Sequence, residues 1–145
     1  MATEWDDIIY GTEADDWIDA LDGNDYVYSA GGNDTVLGGL DTNPWVGNND
    51  IIDGGSGSDF LYGESGNDTI YGGLDVYWDD PFYNNDYIDG GTGDDLLYGE
   101  SGNDTVYGGD GVDTIYGGAG ADTFSYWEIV SGEVKDYNSA EDFWV

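Results

Sequence analysis

Apolar side chains recur along the chain on a nine-residue grid. Ile9, Ile18, Val27, Val36, Ile52, Leu61, Ile70, Ile88, Leu97, Val106, Ile115 and Phe124 each follow an aspartate by two positions. The aspartates are Asp7, Asp16, Asp25, Asp34, Asp50, Asp59, Asp68, Asp86, Asp95, Asp104, Asp113 and Asp122, and they define position 6 of the frame. The apolar residues then stand at position 8. All but Phe124 are aliphatic, of a size to fill a narrow interior. Positions 1, 2 and 4 together hold 23 of the 26 glycines. A flexible linker would scatter its glycines, whereas this placement predicts a repeat scaffold of about twelve coils over residues 2–125.

The phrases that carry the frame resemble a known repeat. "GGSGSDFLY" (54–62) and "GGTGDDLLY" (90–98) match the pattern G-G-x-G-x-D-x-U-x of the RTX (repeats-in-toxin) family in full. "GESGNDTIY" (63–71), "GESGNDTVY" (99–107), "GGDGVDTIY" (108–116) and "GGAGADTFS" (117–125) depart from it by at most one framework residue. The first coil, "ATEWDDIIY", lacks the glycines and reads as a worn N-terminal cap.

The resemblance implies an all-β fold, a right-handed parallel β-roll. Positions 1–6 would form a tight turn, where glycine tolerates positive φ. Positions 7–9 would form a short strand with only position 8 facing inward. Two repeats complete one turn, so alternate loops stack on the same flank. The resemblance further implies Ca²⁺ between stacked loops, held by both position-6 aspartates and by backbone carbonyls, an all-oxygen shell of the kind this ion prefers. One aspartate beside a glycine is common in ordinary turns. Twelve in register point to metal.

Composition agrees with a hard cation. The chain carries 33 acidic residues against Lys135 alone, a formal charge of −32. Self-repulsion of that size opposes compaction and argues against nucleic acid or an anionic membrane as partner. Cysteine and histidine are absent, which leaves oxygen as the metal ligand. Charge and glycine content would suit disorder, but 13 Tyr, 6 Trp and 4 Phe suit a folded state. A chain that is disordered alone and folds when cations arrive reconciles the two. The start "MATEWDD" lacks the charged and apolar regions of a secretory signal peptide.

Two segments interrupt the frame in the same manner. "GGLDTNPWVGNNDIIDGG" (38–55) and "GGLDVYWDDPFYNNDYIDGG" (72–91) carry insert loops at 41–47 and 75–83. Residues 38–71 look like a tandem duplicate of 72–107, and three coils separate the inserts, so they are expected on opposite flanks. Their aromatics Trp45, Tyr77, Trp78, Phe82 and Tyr83 would either stack on sugar rings or fold back over apolar surface. Sorting position 9 by sheet gives Tyr10, Tyr28, Asp53, Tyr71, Tyr98 and Tyr116 on one side, and Asp19, Leu37, Tyr62, Asp89, Tyr107 and Ser125 on the other. The tyrosine stripe is expected to be a packing ladder, with a neutral polysaccharide or an ordered surface as the alternative partner.

After residue 125 the glycine frame stops. "VKDYNSAEDFWV" resembles the segment that closes many RTX rolls, so residues 126–145 are expected to be a non-repeat C-terminal cap. Tyr137, Phe143 and Trp144 would cover Phe124. The final "DFWV" resembles the tail of type I secretion substrates, which implies a secreted protein. Nucleophilic triads need histidine, so no catalytic residues are expected and the chain reads as a non-enzyme. The functional expectation is a Ca²⁺-binding module that folds after secretion. The alternatives are a carbohydrate- or surface-binding protein and a C-terminal module of a larger secreted enzyme or adhesin. The frame offers ten gaps between stacked loops, some of them spoiled by the inserts and the first coil. Calcium-saturated crystals should therefore contain roughly seven to ten Ca²⁺. Fewer than about five would mean that the frame is wrongly drawn.

Overall fold

The computed structural model describes residues 2–40, 42, 48–74 and 84–145. The aromatic residues of the two inserts lie outside the described residues.

Each repeat contributes one short strand, and the strands alternate between two sheets. Numbered along the chain, one sheet holds β1 (Ile8–Tyr10), β3 (Tyr26–Tyr28), β5 (Ile51–Asp53), β7 (Thr69–Tyr71), β9 (Leu96–Tyr98) and β11 (Thr114–Tyr116) in that order. The other holds β2 (Trp17–Asp19), β4 (Thr35–Gly39), β6 (Phe60–Glu64), β8 (Tyr87–Thr92), β10 (Thr105–Asp110), β12 (Thr123–Phe124) and β13 (Phe143–Trp144). All pairings between these strands are parallel and join like positions of the repeat, as in Ile52↔Ile70 and Leu61↔Ile88. The two inserts do not shift this register: Tyr28 pairs with Asp53, and Phe60 pairs with Tyr87. This is a parallel β-roll.

A strand of three residues turns one side chain inward. From Val27 to Phe124, every position-8 residue is fully buried, while Ile9 at the open end is only partly covered. The interior is thus two columns of single side chains facing one another. Burying each contributes about 1.5–3 kcal/mol. Positions 7 and 9 face outward and leave Ile8, Tyr10, Trp17 and Phe60 exposed.

The turns need glycine for closeness as much as for φ. Gly66 has φ 118°, and a Cβ there would run into the Asn48 carbonyl of the loop below. Position 2 tolerates side chains in the left-handed region. Leu21, Ala30, Glu64 and Glu100 all adopt it, with φ between 69° and 82°.

Beyond Ser125 the chain keeps contact with both sheets. Helix α1 (Tyr126–Ser131) opens with a capping box, in which the Glu128 carboxylate accepts the Ser125 N–H at 2.8 Å. Glu128 also accepts the Gly108 N–H at 2.6 Å, which ties the helix to the roll. Gly132, at φ 85°, ends the helix. Val134 then bridges to Ile115 in one sheet, and β13 pairs with β12 in the other. The tail therefore continues both ladders, with 20 residues from Asp122 to Asp142 where the repeat would place 18. Phe124 is covered by the edge of the Tyr137 ring, at 6.3 Å between centroids. Phe143 and Trp144, expected to share that role, are mostly exposed on the last strand.

Deleting residues 126–145 uncovers Phe124 and both strand edges at this end, so it should raise the calcium midpoint for folding followed by circular dichroism, or abolish folding. Equal midpoints for truncated and full-length chains would leave the tail no capping role.

Candidate metal centre

The twelve position-6 aspartates form two ladders, one on each flank of the roll. On one, the backbone N–H groups of Asp7, Asp25, Asp50, Asp68 and Asp95 each donate to Oδ1 of the next aspartate, ending at Asp113, over 2.7–2.9 Å. On the other, Asp16, Asp34, Asp59, Asp86 and Asp104 donate in the same way, ending at Asp122, over 2.8–3.0 Å. Asp142 extends this second ladder by accepting the Asp122 N–H at 3.2 Å. From Asp25 to Asp122 the ladder aspartates are all buried.

The second carboxylate oxygen separates the middle of the roll from its start. Oδ2 of Asp25, Asp34, Asp50, Asp59, Asp68, Asp86, Asp95 and Asp104 is buried and accepts no hydrogen bond among the described residues. Buried polar groups are almost always paired, so eight orphaned oxygens in two rows require a cause. At the N-terminal end the atom is satisfied within its own coil. Asp7 Oδ2 accepts from Thr3 N–H and Oγ1 at 2.6 and 2.7 Å, and Asp16 Oδ2 from Thr12 at 2.6 and 2.8 Å. The tail repeats the device, with Asn138 N–H donating to Asp142 Oδ2 at 2.6 Å.

Position-1 glycines give six of the eight orphaned oxygens, those from Asp50 to Asp104, their room, while Ala20 and Ser29 hold that position beside Asp25 and Asp34. A Cβ on Gly38 would stand 2.6 Å from both Asp50 Oδ2 and the Gly63 carbonyl oxygen. On Gly72 it would stand 2.5 Å from Asp86 Oδ2 and from the Gly99 carbonyl. Carboxylate and carbonyl oxygens of neighbouring coils thus converge where a side chain would otherwise sit. Among the described residues, no group of three or more acidic side chains clusters to chelate a metal unaided. A cation here would take carboxylates from successive coils together with backbone carbonyls. That donor set is all oxygen and fits Ca²⁺.

Electrostatics point the same way. Burial, with further push from neighbouring carboxylates, raises the carboxyls of Asp59, Asp68 and Asp104 to about 8. Burial raises Asp50 and Asp86 to about 7, and Asp25, Asp95 and Asp122 to about 6. The backbone N–H held by Oδ1 opposes the rise in each case and does not cancel it. Lys135 is spent elsewhere, donating to the Gly132 carbonyl at 2.6 Å.

A second ladder runs outside the first and was not read from the sequence. Position-5 side chains accept the position-5 N–H of the next stacked loop, as in Asn67 N–H to Asn49 Oδ1 at 2.7 Å and Asn103 N–H to Asn85 Oδ1 at 2.6 Å. The signal is the asparagine before the aspartate in each "GND" and "NND" phrase. Asn48 and Asn84 are likewise buried at position 4 of the coils that carry the inserts. Their Oδ1 atoms accept from Gly23 and Gly57 N–H at 3.1 and 2.8 Å. Their amides donate back to the Gly39 and Gly73 carbonyls at 2.5 and 2.6 Å, closing the turn across each insert.

This periodic arrangement has a counterpart among known families. The model of the RTX calcium-binding nonapeptide repeat (four copies) matches residues 6–42, 46–76, 82–115 and 89–124. No curated protein and no solved structure matches the chain significantly. With most of its length matched and its aspartates stacked in register on a parallel β-roll, the chain belongs to the RTX calcium-binding nonapeptide repeat family.

Proposed function

We propose that the chain is a secreted module that folds on binding several Ca²⁺ ions, with the ladder aspartates as its ligands. The observation that carries this reading is the double row of eight buried, unpaired Oδ2 atoms. RTX repeats bind calcium, and proteins that carry them are typically secreted. The family is structural rather than catalytic, and the proposed role here is structural or interactive.

The mechanism is electrostatic. Without cations, 33 acidic side chains against one lysine repel one another and keep the chain extended. That state suits export by a type I route. Outside the cell, paired aspartates on stacked loops and the carbonyls beside them take up Ca²⁺, and binding energy becomes folding energy. Ten ions would bring the charge from −32 to about −12. Asp7 and Asp16, already satisfied by threonine, would each lend a ligand only to the gap above them. Asp113 and Asp122 complete the sites at the other end.

Protons should compete with calcium. Asp25, Asp50, Asp59, Asp68, Asp86, Asp95, Asp104 and Asp122 titrate near 4 in the unfolded chain and at about 6–8 in the metal-free roll. A carboxyl raised on folding favours the folded state below its unfolded value, and that contribution is lost as pH rises through its folded value. The metal-free chain is therefore expected to show more β structure by circular dichroism at pH 4 than at pH 8. Calcium affinity should fall as pH drops through the same window. Equal disorder of the metal-free chain at both pH values, or a native spectrum at pH 8, would contradict the carboxylates as the obstacle to folding.

Ligand and scaffold positions separate by substitution. Asp68→Asn and Asp104→Asn should each lower calcium affinity in the two adjoining gaps by about tenfold or more, because ligand charge sets affinity. Thr69→Ala, at the outward position 7, should leave it unchanged. Isothermal titration of the three variants decides, and identical affinities would remove position 6 from the ligand set.

A further inference from the structure

The outward position-9 column of the first sheet holds five tyrosines and one aspartate. Tyr10, Tyr28, Asp53, Tyr71, Tyr98 and Tyr116 are direct pairing partners in that order. Tyr71, Tyr98 and Tyr116 stack face to face, with 5.1 Å between successive centroids and planes within 5°. Asp53 interrupts the column. Its short side chain leaves one rung of the ladder unfilled between Tyr28 and Tyr71.

A cavity of about 390 Å³ opens at this rung. Tyr28 and Tyr71 line it, with Asp53, Ser56, Leu74 and Glu100. The Gly55 N–H donates to Asp53 Oδ1 at 3.1 Å, which fixes the carboxylate. Glu100, in the left-handed region at φ 71°, brings a second carboxylate from a later turn on the same flank. Both acidic side chains are half-buried.

We propose that this slot binds a pyranose ring of a neutral glycan, seated between Tyr28 and Tyr71 in place of the missing tyrosine. Spacing sets the thickness of the ligand. Two strand separations put the flanking rungs about 9.6 Å apart. Tyr98 occupies the same span between Tyr71 and Tyr116, 5.1 Å from each, so the slot has room for one ring. A chair-form sugar offers C–H faces to both rings and carries hydroxyl groups around its edge. Ionised carboxylates only accept hydrogen bonds, so Asp53 and Glu100 match hydroxyl donors. The roll stays negative, at about −12 even with ten ions bound, and repels acidic glycans.

The opposite flank supplies an internal comparison. There Asp19 and Glu64 line a cavity of about 290 Å³, in the company of Leu21, Leu37 and Leu40. It has the carboxylates without tyrosine walls, so it should not hold a sugar in this way.

The test is saturation-transfer NMR of the full chain in excess Ca²⁺, with circular dichroism on the same samples to confirm the roll. The probes are cellohexaose, mannohexaose and chitohexaose, with arginine as a cationic competitor. At least one hexaose should bind saturably, with transfer to its ring C–H protons. Asp53→Tyr should abolish that binding while the roll still folds, because it restores the continuous stack. Tyr71→Ala should weaken binding at least tenfold, whereas Glu64→Gln on the other flank should leave it unchanged. A folded chain that binds none of the three hexaoses at millimolar concentration would overturn the proposal. So would binding that survives Asp53→Tyr, or arginine binding that displaces the sugar. A chain that stays unfolded in excess Ca²⁺ would overturn the calcium reading too, because the slot exists only in the roll.

Discussion

Two rows of buried carboxylates with no cationic side chain to meet them set the terms for this molecule. Each middle coil places one apolar residue inside and one aspartate in the loop stack. Burying the apolar residue contributes about 1.5–3 kcal/mol. Desolvating an unpaired carboxylate costs several kcal/mol even after relaxation. The second term outweighs the first, and the backbone must also be ordered. Such a coil cannot be stable at neutral pH on its own hydrophobic interior. Cations between the loops reverse the sign, because the eight carboxylates with an orphaned oxygen then gain a partner on it.

The rest of the architecture follows from bringing those oxygens together. Glycine at position 1 removes the side chain that would fill the space beside Oδ2, and glycine at position 4 lets loops stack at backbone distance. Loops packed this closely leave each coil three residues, positions 7–9, to cross the sheet, and three residues leave one inward side chain. The narrow interior is the consequence of the loop stack. The ends obey a different rule. Thr3, Thr12 and Asn138 satisfy the equivalent oxygen within their own coil, so Oδ2 of the terminal aspartates has a partner before any metal binds. Solenoids need such self-sufficient ends, since their outermost coils have a neighbour on one side only.

What the sequence showed depended on how uniform each position was. Aspartate at position 6 and an apolar residue at position 8 recur almost without exception, so the ladders, the sheet assignments and the core were readable in advance. Position 5 mixes Asn, Asp and Ser up to Asn103, three side chains that all accept a hydrogen bond, and this common property is hidden by their different identities; Val112 and Ala121, at the end of the ladder, only donate. Asn48 and Asn84 are inconspicuous for a similar reason: they stand at a glycine position and do with a side chain what the turn does elsewhere with its backbone. The tail concealed its strands because helix α1 changes the spacing between Asp122 and Asp142. Left-handed φ at Glu64 and Glu100 carries no sequence signature, since neither residue type prefers it. The stacking of three tyrosines followed from register, whereas the cavity at Asp53 depends on side chains from a later turn.

The central claim is that cations, acting on the aspartate ladders, hold the coils together. Amide hydrogen exchange tests it residue by residue, because each ladder N–H from Asp25 to Asp104 donates to the carboxylate of the next loop. In excess Ca²⁺ at neutral pH these amides should be strongly protected along both flanks. In chelator they should exchange at the rate of an unstructured chain. Protection of the same amides in chelator would show that the roll stands without metal, and the account would be wrong.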